Sequence, residues 1–150
     1  MDGKLAKLLK PINIIIIIFC LLCLIFITII IVGKFKQISL DKAIHQPGYT
    51  WVSSNPDIWF IDGESGMYGE FNYNGKLIKI AVGTLWNEAV ILVEDTGGDP
   101  VLENIVKYEG RSIICLSIHS FSKIQLVYDV VYCSLPDFNE KQIVFVRKDL

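Results

Sequence analysis

The first hydrophobic feature of the chain is an unbroken apolar run near its amino terminus. From Ile12 to Val32 no residue carries a charge, and Asn13 is the only amide. As a helix this run rises ~30 Å, the thickness of the hydrocarbon core of a bilayer. A cleaved signal peptide has a shorter apolar region of ~7–15 residues and ends in small residues, whereas this run ends in IIVG. The pattern predicts an uncleaved transmembrane helix over residues 12–33.

After residue 47 the pattern changes to short runs rich in β-branched and aromatic residues, recurring about every ten residues. The runs are YTWVS, DIWFI, MYGEFNY, KLIKIAVG, NEAVILVE, VLENIVKY, RSIICLSI, KIQLVYDVVY and KQIVFVRK. Turn signals such as Asn74-Gly75 and Glu109-Gly110 separate them. We expect a mainly β domain over residues 48–150, an antiparallel meander of eight or nine strands. It either closes into a small barrel or folds into a β-sandwich. Residues 1–11 form a short basic tail, and residues 34–47 a linker.

One hairpin allows a test of register. If Asn74-Gly75 forms a two-residue type I′ turn, the flanking strands pair as five couples. They are Tyr73 with Lys76, Phe71 with Ile78, Gly69 with Ile80, Glu70 with Lys79, and Tyr68 with Ala81. This register collects the apolar residues on one face and pairs an acid with a base on the other.

The remaining hairpins are predicted in the same way. Glu109-Gly110 closes a second hairpin, and a loop around residues 119–123 closes a third. In the third hairpin Cys115 and Cys133 fall six residues out of register, ~20 Å along the strand. We therefore expect no disulfide within this hairpin.

Two adjacent segments carry a resemblance to a known family. GYTWVSSNPDIWF supplies a first strand with a Gly and a Trp, and GMYGEFNYNGKLIKIAVG supplies a glycine-rich region and the Asn-Gly hairpin. Over residues 48–95 the chain resembles small, membrane-anchored, largely uncharacterised bacterial proteins with a lipocalin-like β domain. The resemblance implies a closed barrel that can act as a carrier or sensor for a small apolar ligand.

Charge bears on orientation and on partners. Lys4, Lys7 and Lys10 precede the apolar run and three further lysines follow it, so the flanking charges nearly balance. A tail of eleven residues cannot fold alone, and the first positive cluster of a signal anchor usually stays in the cytoplasm. We therefore expect the tail in the cytoplasm and the β domain on the extracytoplasmic side of the cell membrane. From His45 onward, eight Lys and Arg stand against fourteen Asp and Glu, a net charge of −6. This balance argues against nucleic acid or an anionic membrane surface as a partner of the domain.

The search for catalytic chemistry is negative. His45 and His119 have no further metal-binding residue at a ligand spacing, and the chain has no nucleophile elbow and no phosphate-binding glycine loop. We interpret the acidic run VEDTGGDP as a solvated loop rather than a calcium site. The sequence therefore predicts no catalytic residue, no cofactor and no metal. A hydrolase would need carboxylates that converge in space, for instance Asp57, Asp62 and Asp129.

Aromatic and aliphatic side chains at strand spacing leave two functional hypotheses open. They form either a solid core or an apolar pocket. The candidate pocket residues are Trp51, Trp59, Phe71, Ile78, Ile80 and Trp86. The first hypothesis is a non-enzymatic, single-pass interaction module with an envelope protein partner, and a solid core favours it. The alternative is a carrier or sensor of a small apolar ligand, which an unfilled interior of several hundred Å³ would favour.

Overall fold

The computed structural model describes residues 3–46, 48–64 and 66–149. It contains two helices and eight strands, in the following order. They are α1 (Gly3–Ile44), β1 (Tyr49–Ser53), β2 (Ile58–Gly63), β3 (Gly66–Tyr73), β4 (Lys76–Leu85), β5 (Glu88–Asp95), α2 (Pro100–Tyr108), β6 (Ser112–Phe121), β7 (Gln125–Cys133) and β8 (Gln142–Asp149).

Helix α1 contains the apolar run and extends beyond it. The segment Asn13–Ile44 is long and apolar enough to cross a membrane, with a mean hydropathy of 3.7 in its most apolar window. The helix ends at Ile44, so most of the predicted linker is helical. The chain divides into two compact units after Ser39. Leu40 and Ile44 belong to the second unit, where both are buried in the core of the β domain.

The eight strands form a closed antiparallel barrel in which each strand pairs with the next in sequence. Closure comes from β1 and β8, whose register runs from Tyr49 opposite Asp149 to Ser53 opposite Phe145. Pairing of the first strand with the last removes the exposed sheet edges. The predicted mainly β fold with a small antiparallel barrel is confirmed, and the β-sandwich alternative is excluded.

The predicted register of the Asn74-Gly75 hairpin is also confirmed. All five expected couples occur between β3 and β4, including Phe71 opposite Ile78 and Glu70 opposite Lys79. Asn74 and Gly75 have φ angles of 51° and 78°, as a type I′ turn requires. Residues on one face of the hairpin point into the barrel and are buried, and this face includes Met67, Phe71, Ile78, Ile80 and Val82.

The run VLENIVKY is a helix, so its interpretation as a strand was wrong. Asp99 caps α2: its Oδ1 accepts hydrogen bonds from the backbone N–H groups of Val101 at 3.0 Å and Leu102 at 3.2 Å. Pro100 occupies the first turn, where its missing N–H is not needed. The buried residues Leu102 and Ile105 are three apart, which is a helical spacing. As a consequence, Glu109-Gly110 ends a helix and does not close a hairpin.

The register predicted for Cys115 and Cys133 was wrong as well. Cys115 lies opposite Tyr132, and Cys133 lies opposite Ile114. The β6–β7 register shifts twice, between Cys115 and Leu116 and between Ile118 and Ser120, and such bulges cannot be counted from the sequence. Both thiols are free. Because directly opposed residues share a face, Cys133 points inward with Ile114 and Cys115 points outward, so their side chains diverge.

The two ends of the barrel are closed differently. The up-and-down order places the β2–β3, β4–β5 and β6–β7 turns at one end, together with Leu40–Ile44; we call this the entry end. There the Trp51 indole N–H donates to the carbonyl of Ile44 at 3.2 Å. Helix α2 lies at the opposite end, where Lys76 Nζ is 3.5 Å from Asp99 Oδ2. Leu40 and Ile44 are buried in the core at the entry end, and Leu102 and Ile105 of α2 are buried in it at the opposite end.

Candidate functional site

The six residues of the predicted apolar pocket do not form one pocket. Four of them lie in the barrel interior and are at most 2% exposed: Trp51, Phe71, Ile78 and Ile80. Trp59 is half-buried on the outer face of β2. Trp86 lies in the β4–β5 turn and is 71% exposed. The structure thus places four of the six candidate residues in the core and the two tryptophans Trp59 and Trp86 elsewhere.

The barrel interior is filled by side chains. A cavity of about 10 Å³ lies among side chains near the entry end. Its lining consists of Ile44, Phe60, Met67, Val82, Thr84, Ala89, Ile91, Leu116, Tyr128 and Phe145. A space of this size holds about one water molecule at most. An apolar ligand would have to displace these core side chains to enter.

The outer wall of the barrel carries a much larger concavity, which we call the β2–β4 groove. Its volume is about 440 Å³. The lining residues are Trp59, Gly66, Met67, Tyr68, Gly69, Glu70, Lys79, Ile80, Ala81 and Glu94. The groove is the candidate binding site because it combines exposed aromatic surface with side chains of both charges.

Strand register explains the order of side chains across the groove. Trp59, Glu70 and Lys79 form one cross-strand row, because Trp59 lies opposite Glu70 and Glu70 lies opposite Lys79. The Trp59 indole N–H donates to Glu70 Oε2 at 3.3 Å, which fixes both side chains. Tyr68 and Ala81 form the neighbouring row. Such a surface can stack an apolar or ring-shaped group on Trp59 and Tyr68 and bind polar groups beside it.

Two backbone features shape the groove. At Gly69 the strands β2 and β3 approach so closely that an added Cβ would lie 1.9 Å from the Trp59 carbonyl oxygen. On the other side, the β4–β5 register skips Glu94: Lys79 pairs with Asp95 and Ile80 with Val93. A bulge of this kind re-aims the extra side chain, and Glu94 consequently lines the groove.

Each histidine is paired with a carboxylate from another part of the fold. His45 Nδ1 lies 3.2 Å from Asp62 Oδ1, and His119 Nδ1 lies 3.0 Å from Asp129 Oδ2. Gln142 also donates to Asp129 at 2.9 Å. The hydrogen bonds from Gln142 and His119 lower the pKa of the Asp129 carboxyl. Sequence reasoning missed both pairs, because residues ten or more positions apart meet only through the fold.

The acidic residues that were considered for hydrolysis do not converge. Asp57 lies before β2 and accepts from the Asn72 amide at 3.4 Å, whereas Asp62 is near the other end of the same strand. Five residues of strand separate them by ~16 Å. Asp129 lies on β7. Within residues 3–46, 48–64 and 66–149 no group of three or more His, Cys, Asp or Glu side chains is arranged to hold a metal ion.

The carboxylates of the acidic run VEDTGGDP make different contacts and do not converge on one site. Glu94 lines the groove. Asp95 Oδ1 accepts the backbone N–H of Gly97 at 3.0 Å, and Asp99 caps α2. The backbone N–H groups of Leu102 and Val101 lower the pKa of the Asp99 carboxyl, and Lys76 contributes further. These contacts organise the loop and the helix start.

Comparisons of the chain with protein-family models, with curated proteins and with solved structures give no match. The resemblance to membrane-anchored, lipocalin-like bacterial proteins therefore stays a prediction.

Proposed function

We propose that this protein is a single-pass membrane-anchored module whose β-barrel binds a partner through its outer wall, and that it is not an enzyme. The observation that carries this proposal is the filled interior. A barrel with a cavity of about 10 Å³ has no room for a ligand, whereas ligand pockets measure ~300–1,000 Å³. A binding site then has to lie on the outer surface. The β2–β4 groove has a volume in the range of ligand pockets, and aromatic and charged side chains line it.

The apolar helix supports the anchoring part of the proposal. Its membrane-competent segment is uncharged over 21 residues, and none of the side chains in its most apolar window is buried in the protein. A helix satisfies its own backbone hydrogen bonds, which the bilayer demands. The proposed location is the cell membrane, with the amino terminus in the cytoplasm and the barrel outside, facing an envelope protein.

The small interior cavity also makes a carrier of a small apolar ligand the weaker alternative. A small apolar ligand in the interior would have to replace core side chains, at a cost of several kcal/mol for each large side chain displaced. Titration of the full-length protein with a fluorescent fatty acid tests this. We expect either no saturable binding of the fatty acid or binding that the groove substitution Trp59→Ala weakens. Saturable one-to-one binding that survives this substitution would favour the carrier.

Topology is tested by labelling introduced cysteines on intact cells with a membrane-impermeant thiol reagent, after replacement of the four native cysteines. Gly97 and Gly98 are unsuitable positions, because their φ angles are 59° and 69° and a side chain there is strained. Glu103 on α2 is exposed and helical. We expect Glu103→Cys to be labelled and Lys7→Cys, in the tail, to be protected until lysis. The reverse result would place the barrel in the cytoplasm.

Use of the groove is tested by a photo-crosslinking amino acid in place of Tyr68, which is 48% exposed. The matched control is the same replacement of Tyr108, which is 71% exposed on α2. A discrete adduct in intact cells at position 68 alone supports the groove as the binding site. Equal adducts at both positions, or none at position 68, would refute it.

A further inference from the structure

Large apolar side chains are exposed on two turns at the entry end of the barrel. Leu85, the last residue of β4, is 69% exposed, Trp86, in the β4–β5 turn, is 71% exposed, and Ile124, in the β6–β7 turn, is 64% exposed. These turns lie at the same end because alternate turns of an up-and-down barrel do. The backbone carbonyl of Ile124 accepts from the N–H of Arg147, near the end of β8. We call Leu85, Trp86 and Ile124 the apolar rim.

Trp86 occupies a backbone position that does not favour a bulky residue. Leu85 pairs with Glu88, so Trp86 and Asn87 form a two-residue turn. The φ of Trp86 is +60°, and at the first position of such turns Gly is preferred. A left-handed conformation in a large side chain costs stability. Because the indole is mostly exposed, its burial within the barrel does not offset this cost, whereas a contact outside the barrel can.

Only a short segment of chain separates the membrane-spanning run from the barrel. Val32 ends the apolar run, and Leu40, which is already in the barrel core, follows eight residues later. The intervening residues are helical, and they rise ~12 Å in all. The polar layer on each face of a bilayer is roughly 5–8 Å thick. The helical connection between the apolar run and the first core residue of the barrel is therefore only a few Å longer than the polar layer is thick.

We propose that the apolar rim rests in the interfacial layer of the bilayer that the protein's own helix spans; this rests on the proposed membrane anchoring. Trp prefers this layer, because its ring is apolar and its N–H is polar. Charges of both signs surround the rim: Lys123 adjoins Ile124, and Glu88 follows the β4–β5 turn. Rim contact is therefore driven by the apolar side chains, and zwitterionic lipid is sufficient for it.

The test is quenching of tryptophan emission by bromine on lipid tails. Full-length protein is reconstituted in phosphatidylcholine vesicles, with and without bromine near the glycerol end of the acyl chains. Trp86→Phe is compared with the wild type, and Trp59→Phe is the control because Trp59 lies on the barrel wall. We expect Trp86→Phe to remove at least half of the bromine-quenchable emission and Trp59→Phe to remove none of it.

Three results would overturn the inference. Equal bromine quenching in the wild type and Trp86→Phe would show that Trp86 does not touch lipid. Quenching of the Trp86 emission by aqueous iodide would place it in water. Protection from both quenchers would mean that a partner protein or a second copy covers the rim.

A second measurement is independent of tryptophan photophysics. An environment-sensitive dye on Ile124→Cys, in a background without native cysteines, is compared with the same dye on Glu103→Cys. We expect a blue-shifted emission at position 124 alone, and equal emission at both positions would overturn the inference.

The same vesicles separate failure of the inference from failure of the anchor. Alkaline extraction and flotation report whether the protein is integral to the membrane. Protein that floats while Trp86 remains accessible to iodide refutes the rim contact alone. Protein that is extracted refutes both the anchor and the rim contact that rests on it.

Discussion

Among the glycines that the structure describes, Gly69 is the one at which an added Cβ would make the shortest contact. It lies in β3 opposite Phe60 of β2 and Ile80 of β4. In Gly69→Ala the new Cβ would lie 1.9 Å from the Trp59 carbonyl oxygen and 2.7 Å from the Phe60 Cα. Both atoms belong to the backbone, so no rotamer change relieves the clash. Strands β2 and β3 have to separate.

The size of the effect follows from the distances. Real Cβ contacts are essentially never shorter than 3.0 Å, so the contact has to lengthen from 1.9 Å to at least that value. Such a shift breaks the neighbouring ladder hydrogen bonds, each worth ~0.5–1.5 kcal/mol net, and strain from overpacking adds ~1–3 kcal/mol. We expect the free energy of unfolding to fall by about 3 kcal/mol, which lowers the Tm by roughly 10–20 °C in a domain of this size.

Gly83 provides a matched control in the same sheet. It lies in β4, and the nearest atom to a Cβ placed there, the Val90 carbonyl oxygen, is 4.0 Å away. Gly83→Ala should be neutral or stabilise the barrel by up to ~1 kcal/mol, because alanine has less freedom in the unfolded chain.

Thermal unfolding of the full-length proteins in detergent is followed by tryptophan emission and near-ultraviolet circular dichroism, since α1 dominates the far-ultraviolet signal. Trp59 and Phe60 lie next to Gly69, so both signals report on the perturbed strands. Equal melting temperatures for Gly69→Ala and Gly83→Ala would refute the argument from close strand approach. If both variants were destabilised equally, the loss of stability would come from replacing any strand glycine and not from the short contact at Gly69.

Three further predictions concern polar groups in the barrel. The Thr50 hydroxyl is buried without a hydrogen-bond partner among the described residues, so Thr50→Val should raise the free energy of unfolding by ~1 kcal/mol; a lower Tm would contradict this. Because the pKa of Asp99 is lowered in the fold, its stabilisation is present above its ordinary pKa and is lost as the pH falls below about 4. Asp99→Ala should flatten that acid limb of a Tm-against-pH curve, and an unchanged limb would refute the assignment. Cys115 and Cys133 should migrate as free thiols on a non-reducing gel, with Cys133 alkylated slowly because burial raises the pKa of its thiol; a bridged species would show that β6 and β7 pair differently.

The parts of the fold that were predicted correctly are those fixed by local chemistry. Asn74-Gly75 determines a two-residue turn, and the turn determines the register of every pair in β3 and β4. The apolar run determines a helix by its length alone. In both cases residues that are adjacent in the sequence determine the local structure without help from distant parts of the chain.

The errors occurred where local signals compete or where one residue is added to a strand. VLENIVKY has the β-branched content of a strand, yet Asp99-Pro100 before it is a helix start signal, and a helix of nine residues is too short for its period to be evident. The bulges at Cys115 and Ile118 shift the β6–β7 register. A bulge depends on how the barrel closes and has no sequence signature of its own here.

Whether the barrel is hollow also could not be predicted, and the proposed function rests on this question. Inward positions alternate with outward positions in a hollow barrel and in a filled one, so the hydrophobic pattern is the same in both. The difference depends on side-chain volume: Trp51, Phe60, Phe71, Tyr128 and Phe145 all point inward. An eight-stranded barrel is just wide enough to be filled by such side chains. The tryptophans outside the core, Trp59 in the groove and Trp86 on the rim, are then the positions to which we assign the two proposed contacts, the first with a partner and the second with the membrane.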